Sequence, residues 1–201
     1  MERYNLARVT KKIYDSDCKL FSLNTLKSLL EVKKESTLFS LIKRLVTNGV
    51  LKKIEKDKYI LKEAGVDDFS LANFIYQPSY ISFETALNFY GILSQFPYEI
   101  TSATSKKTSK KIIEGKIYTY THLQKSLFWG YEKKDGFLIA FPEKALLDQL
   151  YLAAKGTRGV SLDEYDFSLI KWKKFKDFLQ KYPATRQFKS IITLLQKYVG
   201  R

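Results

Sequence analysis

Hydrophobic positions in the first third of the chain recur with helical spacing. Over residues 36–48 the apolar residues fall at 38, 41, 42, 45 and 46, which is the i, i+3, i+4, i+7, i+8 spacing of a helix with one core-facing side. Ser36 is predicted to cap this helix, and Gly49 to end it in the left-handed conformation of a C-cap. The same spacing predicts two earlier helices, over residues 4–14 and from Ser22 to about Val32.

Alternating positions follow the third helix and predict a hairpin. Residues 50–54 and 58–61 alternate apolar and polar side chains around the polar turn 55–57, as two paired strands do. A short extended piece at residues 19–21 precedes the second helix. This order of helix, turn, helix and hairpin predicts a winged helix-turn-helix domain over residues 1–65, the third helix entering the major groove of DNA.

The composition changes near residues 64–68, after which aromatic residues, β-branched residues and turn signals dominate. Alternation predicts strands over residues 98–104, 116–122, 127–132 and 137–141, and periodicity predicts helices over 84–90, 142–156, about 171–181 and 184–198. We therefore expect an α+β protein. Its N-terminal winged helix-turn-helix domain is followed, over residues 70–201, by a mixed α+β domain with a small sheet and C-terminal helices.

The chain is strongly basic, and the positive charge is densest at its front. Lys and Arg total 35 against 21 Asp and Glu, a formal net charge of +14, and residues 1–65 hold 15 basic against 8 acidic side chains. Such a field attracts phosphate backbones, anionic membranes or an acidic protein. The least charged stretch, residues 69–98, is interrupted by Pro78 and Gly91, so we expect no membrane span. With no signal peptide in the first residues, we expect a cytoplasmic protein.

Two sets of side chains are predicted to contact DNA. The outer face of the third helix, opposite the apolar stripe, consists of Ser36, Thr37, Ser40, Lys43, Arg44 and Thr47. The hairpin lysines are Lys52, Lys53, Lys56 and Lys58. Hydroxyl and basic side chains suit base edges and phosphates, and no acidic residue lies between Ser36 and Leu51. The alternative is that the outer face is the solvated side of a protein-interaction module.

Another basic run lies between two predicted strands. Residues 105–111 read SKKTSKK and contain Lys106, Lys107, Lys110 and Lys111. They form a candidate second basic patch for phosphate, or else a solvated loop. Further along, Lys144 and Asp148 have the i, i+4 spacing of an ion pair on a helix surface. We interpret this pair as helix stabilisation and assign it no chemistry.

Residue types argue against an enzyme. A single cysteine, Cys18, and a single histidine, His122, exclude an internal disulfide and a Cys- or His-based metal cluster. The chain contains no Gly-rich phosphate loop, no G-x-S-x-G and no H-E-x-x-H. We therefore predict no catalytic residue, no metal, no cofactor and no enzymatic activity.

Four stretches in a fixed order resemble a known family. Residues 36–61 supply the predicted third helix and hairpin, 80–91 contain YIS, ETAL and YG, 99–104 read EITSAT, and 141–151 read FPEKALLDQLY. Over roughly residues 4–180 this order resembles the AbiEi-type antitoxins and transcriptional regulators of abortive-infection (type IV) toxin–antitoxin systems.

The resemblance implies a function in phage defence. It implies an autorepressor that binds double-stranded DNA, at repeats in the promoter of its own operon. It also implies an antitoxin that counters a nucleotidyltransferase-like toxin, generally without a stable complex. Two alternatives stay open. One is a plain winged-helix transcription regulator with a ligand- or protein-sensing second domain, and the other is a protein-interaction scaffold that binds the toxin directly.

Overall fold

A computed structural model of the protein describes residues 5–200. Within them it contains eight α-helices and two sheets, so the protein belongs to the mixed α+β class. The chain forms two compact units, the first ending at Ile75 and the second beginning at Tyr76. The predicted boundary lay earlier, between residues 65 and 70, and the helix Asp68–Ile75 belongs to the first unit.

The first unit combines four helices with a three-stranded sheet. Its elements are α1 (Leu6–Tyr14), β1 (Leu20–Ser22), α2 (Leu23–Leu29), α3 (Glu35–Thr47), β2 (Leu51–Glu55), β3 (Lys58–Leu61) and α4 (Asp68–Ile75). The strands lie in the order β1-β3-β2, with antiparallel neighbours. Tyr59 in the central strand pairs with Phe21 on one side and with Lys53 on the other.

The core of the first unit is apolar. Val9 and Ile13 of α1 pack with the inward side of α3 and with Phe21 and Tyr59 of the sheet. The buried side chains of α3 are Leu38, Leu41, Ile42 and Leu45, as its spacing predicts. Burial of these side chains is the main source of stability for so small a unit.

Two of the three predicted boundary residues are confirmed. The hydroxyl of Ser22 accepts a hydrogen bond from the backbone N–H of Thr25 at 3.0 Å, and Gly49 has a φ of +71° at the end of α3. The predicted cap at Ser36 is wrong, because α3 begins at Glu35 and Lys34 precedes it without a side-chain hydrogen bond. Glu35 stabilises the earlier start, since a carboxylate in the first turn interacts favourably with the helix dipole.

Helix α4 was not predicted, although the sequence carries a start signal for it. The Asp67 carboxylate accepts a hydrogen bond from the backbone N–H of Ser70 at 2.7 Å, which is how an Asp side chain satisfies an exposed N–H at a helix start. Behind this cap, Leu71, Ala72 and Ile75 are buried. The predicted first helix matches α1 from Leu6 onward, and Tyr4 lies outside the described residues.

The second unit is built on a six-stranded mixed sheet. Its elements are β4 (Ser79–Ile81), α5 (Phe83–Phe89), β5 (Glu99–Thr104), β6 (Ser109–Ile113), β7 (Lys116–His122), β8 (Tyr131–Lys134), β9 (Phe137–Ala140), α6 (Pro142–Ala154), α7 (Trp172–Leu179) and α8 (Arg186–Val199). The strand order is β6-β7-β5-β4-β9-β8. The pairs β5–β7 and β4–β9 are parallel, and the other neighbours are antiparallel.

Helix α6 is the centre of this unit. Every residue from 143 to 152 is buried, and α5, α7 and α8 all pack against it. A helix that is buried on all sides has no solvated face. The charged residues of α6 therefore lie inside the unit, which corrects their interpretation as a surface ion pair.

The predicted strands of the second unit hold in part. Strand β7 has its predicted bounds, and the Asp135-Gly136 turn before β9 has the positive φ values of a hairpin turn. The strand predicted over residues 127–132 is wrong before Tyr131, because Gly130 adopts a φ of +75° beside the Lys144 side chain. The loop predicted over residues 105–111 is also too long, since residues 109–111 pair with β7 as part of β6.

No helix within residues 5–200 is both long and apolar enough to cross a membrane.

Candidate nucleic-acid interface

The outer face of α3 lies on the surface of the first unit. Ser36, Ser40, Lys43, Arg44 and Thr47 are exposed, and Thr37 is half-buried. The apolar stripe of the helix faces the core, so these side chains lie on the opposite side. The structure thus brings together on one helical surface the six residues that the sequence predicts there.

Two apolar residues border this surface and were not predicted to be exposed. Phe39 and Val46 are spaced two turns apart along one flank of α3, next to Lys43, and both are substantially exposed. Val46 was assigned to the core-facing stripe, and the structure corrects this. Apolar side chains beside basic ones can contact thymine methyl groups in the major groove. The signal was available, because a stripe five residues wide is broader than the core of a short helix needs.

One hydroxyl of the outer face is already engaged. The Ser40 side chain donates a hydrogen bond to the backbone carbonyl of Ser36, one helical turn earlier, at 2.9 Å. Its oxygen can still accept a hydrogen bond. We therefore expect Ser40 to contact a donor, such as a base amino group, rather than a phosphate oxygen.

A tight turn joins the outer face to the hairpin. The backbone N–H of Val50 donates to the Leu45 carbonyl at 2.9 Å, and that of Lys62 donates to the Val50 carbonyl at 3.1 Å. These bonds tie the last turn of α3 to the start of β2 and to the end of β3. Lys52 and Lys53 follow directly and are exposed, as is Lys56 in the turn.

Lys58 differs from the other hairpin lysines. Its ammonium is about three-quarters buried, lies 3.4 Å from the Glu55 carboxylate and donates a hydrogen bond to the Ile75 carbonyl. It also lies 5.9 Å from the centre of the Phe74 ring. Lys58 therefore joins the hairpin to α4, and this role differs from the phosphate contact predicted for it.

The candidate second basic patch lies in the second unit and is less uniform than its sequence. Lys110 forms an ion pair with Glu99 at 2.9 Å, and Lys106 lies over the Tyr76 ring at 5.8 Å. The loop itself is held in place, since Tyr76 donates to the Lys107 carbonyl and His122 Nδ1 lies 2.8 Å from the Lys106 carbonyl. Lys107 is exposed at the tip of this loop, whereas Lys111 is half-buried in β6.

Sequence reasoning missed a buried ionic cluster in the second unit, formed by Tyr80, Ser82, Lys144, Asp148 and Tyr182. The Asp148 carboxylate pairs with the Lys144 ammonium. It also accepts hydrogen bonds from Tyr182 at 2.6 Å, Ser82 at 2.9 Å and Tyr80 at 3.1 Å. Both charged side chains are fully buried. The carboxylate has four donors around it, so its hydrogen-bonding capacity is filled.

Aromatic rings complete the surroundings of Lys144. Its ammonium lies 5.2 to 5.6 Å from the ring centres of Tyr80, Trp129 and Tyr182, close enough for cation–π attraction. Burial raises the pKa of Tyr80 and of Tyr182 well above the usual value, and the charge of Asp148 raises both further. Burial lowers the pKa of Lys144, while Asp148 acts in the opposite direction. With no opening to a ligand described for it, this cluster serves the fold.

Within the described residues, no three His, Cys, Asp or Glu side chains are placed to hold a metal ion. No protein-family model and no curated protein matches the sequence.

Proposed function

We propose that the protein is a sequence-specific DNA-binding autorepressor and the antitoxin of a type IV toxin–antitoxin system whose toxin is a nucleotidyltransferase. The observation that carries the DNA-binding half is the exposed outer face of α3. It presents hydroxyls, Lys43 and Arg44 with no carboxylate between Ser36 and Leu51. It is followed at once by a hairpin with exposed lysines.

The element order of the first unit supports a winged helix-turn-helix reading. Helices α1 to α3, with the short strand β1 before α2, are followed by the β2–β3 hairpin. In such domains the third helix enters the major groove and the hairpin lies along the phosphate backbone. Lys43 and Arg44 would contact guanine edges or phosphates, while Lys52, Lys53 and Lys56 would contact the backbone.

The antitoxin half of the proposal is supported by the sequence resemblance. The stretches that carry it outside the first unit form β4 and α5, β5, and α6 with the residue before it. Together they make up the centre of the second unit. We assign the neutralisation of the toxin to this unit and the control of transcription to the first.

Fluorescence anisotropy of the full chain tests the DNA-binding half. The probes are a duplex from the DNA upstream of its own gene and a scrambled duplex of equal composition, across a series of salt concentrations. A specific repressor should prefer its own duplex by at least ~10³-fold. The logarithm of its affinity should fall with the logarithm of salt with a slope of several units. Equal affinity for the two duplexes at every salt concentration would refute the assignment.

Growth rescue tests the antitoxin half separately. A nucleotidyltransferase gene next to this one is expressed from an inducible promoter, with the full chain supplied from an independent promoter. We expect the chain to restore growth, and the Lys43→Ala, Arg44→Ala variant to restore it equally, because expression no longer depends on operator binding. Failure of the unaltered chain to restore growth would remove the antitoxin assignment and leave the repressor assignment standing.

A further inference from the structure

A long groove crosses one face of the sheet in the second unit. It has a volume of about 1260 Å³. Strands β5 and β7 form its floor, the segment of residues 155–165 after α6 forms one wall, and the loop of residues 93–98 forms the other. The groove is distinct from the buried ionic cluster, and nothing in the proposed repressor function uses it.

Buried polar atoms without partners line this groove. The Gln149 side chain is only 1% exposed, and its amide nitrogen is held by Glu84 at 2.9 Å and by the Gly159 carbonyl at 3.1 Å. Its amide oxygen is thereby fixed in orientation, since the nitrogen must face these two acceptors. Neither this oxygen nor the Thr119 hydroxyl has a hydrogen-bond partner among the described residues. Buried groups of this kind are costly unless something bonds to them, so a ligand with hydrogen-bond donors fits here.

The carboxylates of the groove are neutralised from within. Glu84 pairs with Arg158, whose other nitrogen donates to the Thr121 hydroxyl at 3.1 Å. Glu99 pairs with Lys110. An anionic ligand therefore meets little repulsion from these two acids.

Basic groups mark the ends of the groove. Lys155 lies in one wall and is exposed, its ammonium 4.4 Å from the centre of the Tyr151 ring. At the other end, His122 and Thr108 border both the groove and the adjoining hollow lined by Lys106 and Lys107. The groove is thus continuous with the basic loop, and a chain of phosphates could follow this path.

Two aromatic side chains project from the rim. Phe96 and Tyr98 are 89% and 88% exposed, far more than large aromatic residues usually are. They lie on the same wall loop, two residues apart, and both line the groove. Exposed rings beside a polar, partly basic channel are the arrangement on which unpaired bases stack.

We propose that this groove binds single-stranded nucleic acid. Bases stack on Phe96 and Tyr98, a base edge or a ribose hydroxyl donates to the Gln149 oxygen, and the phosphates run toward His122 and Lys107. A duplex does not suit the site, because its bases are already stacked on one another and cannot reach the rings. A peptide would meet the same donors and acceptors, but the continuation into the basic loop favours a polyanion.

Anisotropy of the full chain with a fluorescein-labelled oligouridylate of about 8 nucleotides tests the proposal. We expect Phe96→Ala with Tyr98→Ala to weaken binding at least about tenfold, and Phe96→Trp with Tyr98→Trp to keep it. The matched control is Ile112→Ala, which removes an apolar side chain that is 68% exposed on β6 but carries no ring. It should leave the affinity unchanged.

The salt dependence gives a second readout. Lys107→Ala with Lys155→Ala should lower the slope of log affinity against log salt by about 1. Binding that survives loss of both rings would overturn the proposal, and so would a site that is equally well filled by a peptide. Displacement of the strand by an equal concentration of uridine monophosphate would replace it with a free-nucleotide site. Loss of binding only in Lys43→Ala, Arg44→Ala would move the reader of single strands to the first unit.

These outcomes are separable from those of the repressor test. Phe96→Ala with Tyr98→Ala should not change the affinity for the promoter duplex, and Lys43→Ala with Arg44→Ala should not change the affinity for the oligouridylate. Each variant therefore reports on one unit and one ligand.

Discussion

The two units of the protein build their interiors from opposite materials. In the described part of the first unit the buried side chains belong to hydrophobic residues, and the charges lie outside. The second unit contains every buried polar or charged side chain within residues 5–200, including Lys144 and Asp148. Charge in the first unit is available to a ligand, whereas much of the charge in the second unit holds the fold together.

This difference changes how each unit should respond to substitution. An apolar core tolerates changes that keep volume and pattern. A buried ion pair is stable only with all its partners, because removal of one partner leaves the other charged and desolvated. The two units can be followed separately, since both tryptophans, Trp129 and Trp172, lie in the second one.

The largest effect is expected from Asp148→Ala. It leaves the Lys144 ammonium buried without its carboxylate, which should lower the free energy of unfolding of the second unit by about 4 kcal/mol. Urea unfolding followed by tryptophan fluorescence measures this loss. Asp177→Ala, at an exposed aspartate of α7, is the matched control and should change the free energy by less than about 0.5 kcal/mol. A loss as small for Asp148→Ala would mean that the cluster does not hold the unit.

Leu45→Ala should be the corresponding lesion in the first unit. Leu45 is fully buried on α3, and a large-to-small change in such a core lowers the free energy of unfolding by about 3 kcal/mol. Circular dichroism should show an earlier transition, while the tryptophan signal of the second unit keeps its midpoint. Val46→Ala, on the exposed flank of the same helix, should have little effect. A shift of the tryptophan midpoint by Leu45→Ala would contradict the independence of the two units.

Lys43→Ala with Arg44→Ala should weaken promoter binding without unfolding the first unit. Loss of a bidentate contact to a base is worth about 1–3 kcal/mol, so we expect a loss of about 2 kcal/mol in anisotropy. Arg8→Ala with Lys11→Ala removes the same charge from exposed positions of α1 and controls for the overall field. Equal losses in the two double variants would show that the field, rather than the outer face of α3, attracts DNA.

Alkaline pH should distinguish the units through the tyrosines of the cluster. The pKa of Tyr80 and of Tyr182 is raised above 10.0 in the folded state. Their contribution to stability is therefore complete below about pH 10 and lost as the pH rises toward the folded-state pKa. Lys144 acts in the opposite sense, because its lowered pKa makes the folded state relatively more stable as the pH approaches 10.5. With two tyrosines against one lysine, the second unit should lose stability above about pH 10.

Each tyrosine can contribute up to about 1.4 kcal/mol per pH unit to this slope. Tyr182→Phe should therefore make the free energy of unfolding fall less steeply between about pH 10 and about pH 11, measured by urea titrations with tryptophan detection. Tyr98→Phe, at an exposed tyrosine, should leave the slope unchanged. An unaltered slope in Tyr182→Phe would mean that its hydroxyl does not titrate as part of the cluster.

The smallest effect is expected when the cluster is made neutral as a whole. Lys144→Met with Asp148→Asn keeps the shape and leaves an amide to bond with Tyr80 and Tyr182, so stability should stay within about 1 kcal/mol of the unaltered chain. The same urea experiment measures it. A double variant as unstable as Asp148→Ala would show that the charges themselves, and not the filled hydrogen bonds, stabilise the second unit.

The sequence predicted those parts of the fold in which periodicity and burial coincide. The stripe of α3 and the alternation of β7 each have one buried side, so the pattern marks both the element and its orientation. Strand β6 escaped prediction because polar and basic residues fill most of an edge strand that has only one neighbour. Gly130 ended a predicted strand because a Cβ there would lie about 3.0 Å from the Lys144 side chain, a tertiary contact that no local pattern reveals.

The candidate site was predictable where it depends on helical geometry and not where it depends on partners. Lys43 and Arg44 follow from the position of the apolar stripe. The engagement of Lys58 with α4 does not, because α4 itself was not predicted. Lys144 and Asp148 have the same spacing as an exposed pair. Only the apolar residues on every side of PEKALLDQLYLAA signal that this helix has no solvent-facing side.

The parallel pairing of β4 with β9 has a consequence for synthesis on the ribosome. All residues of the first core lie before Ile75. In contrast, Ile81 waits for Ile139, and the cluster is closed only by Tyr182. At about 5–20 residues per second, roughly 5–20 s of translation separate the two events. A nascent chain can thus carry a folded first unit while the second is still unfinished, so the proposed operator-binding surface would exist before the proposed antitoxin does.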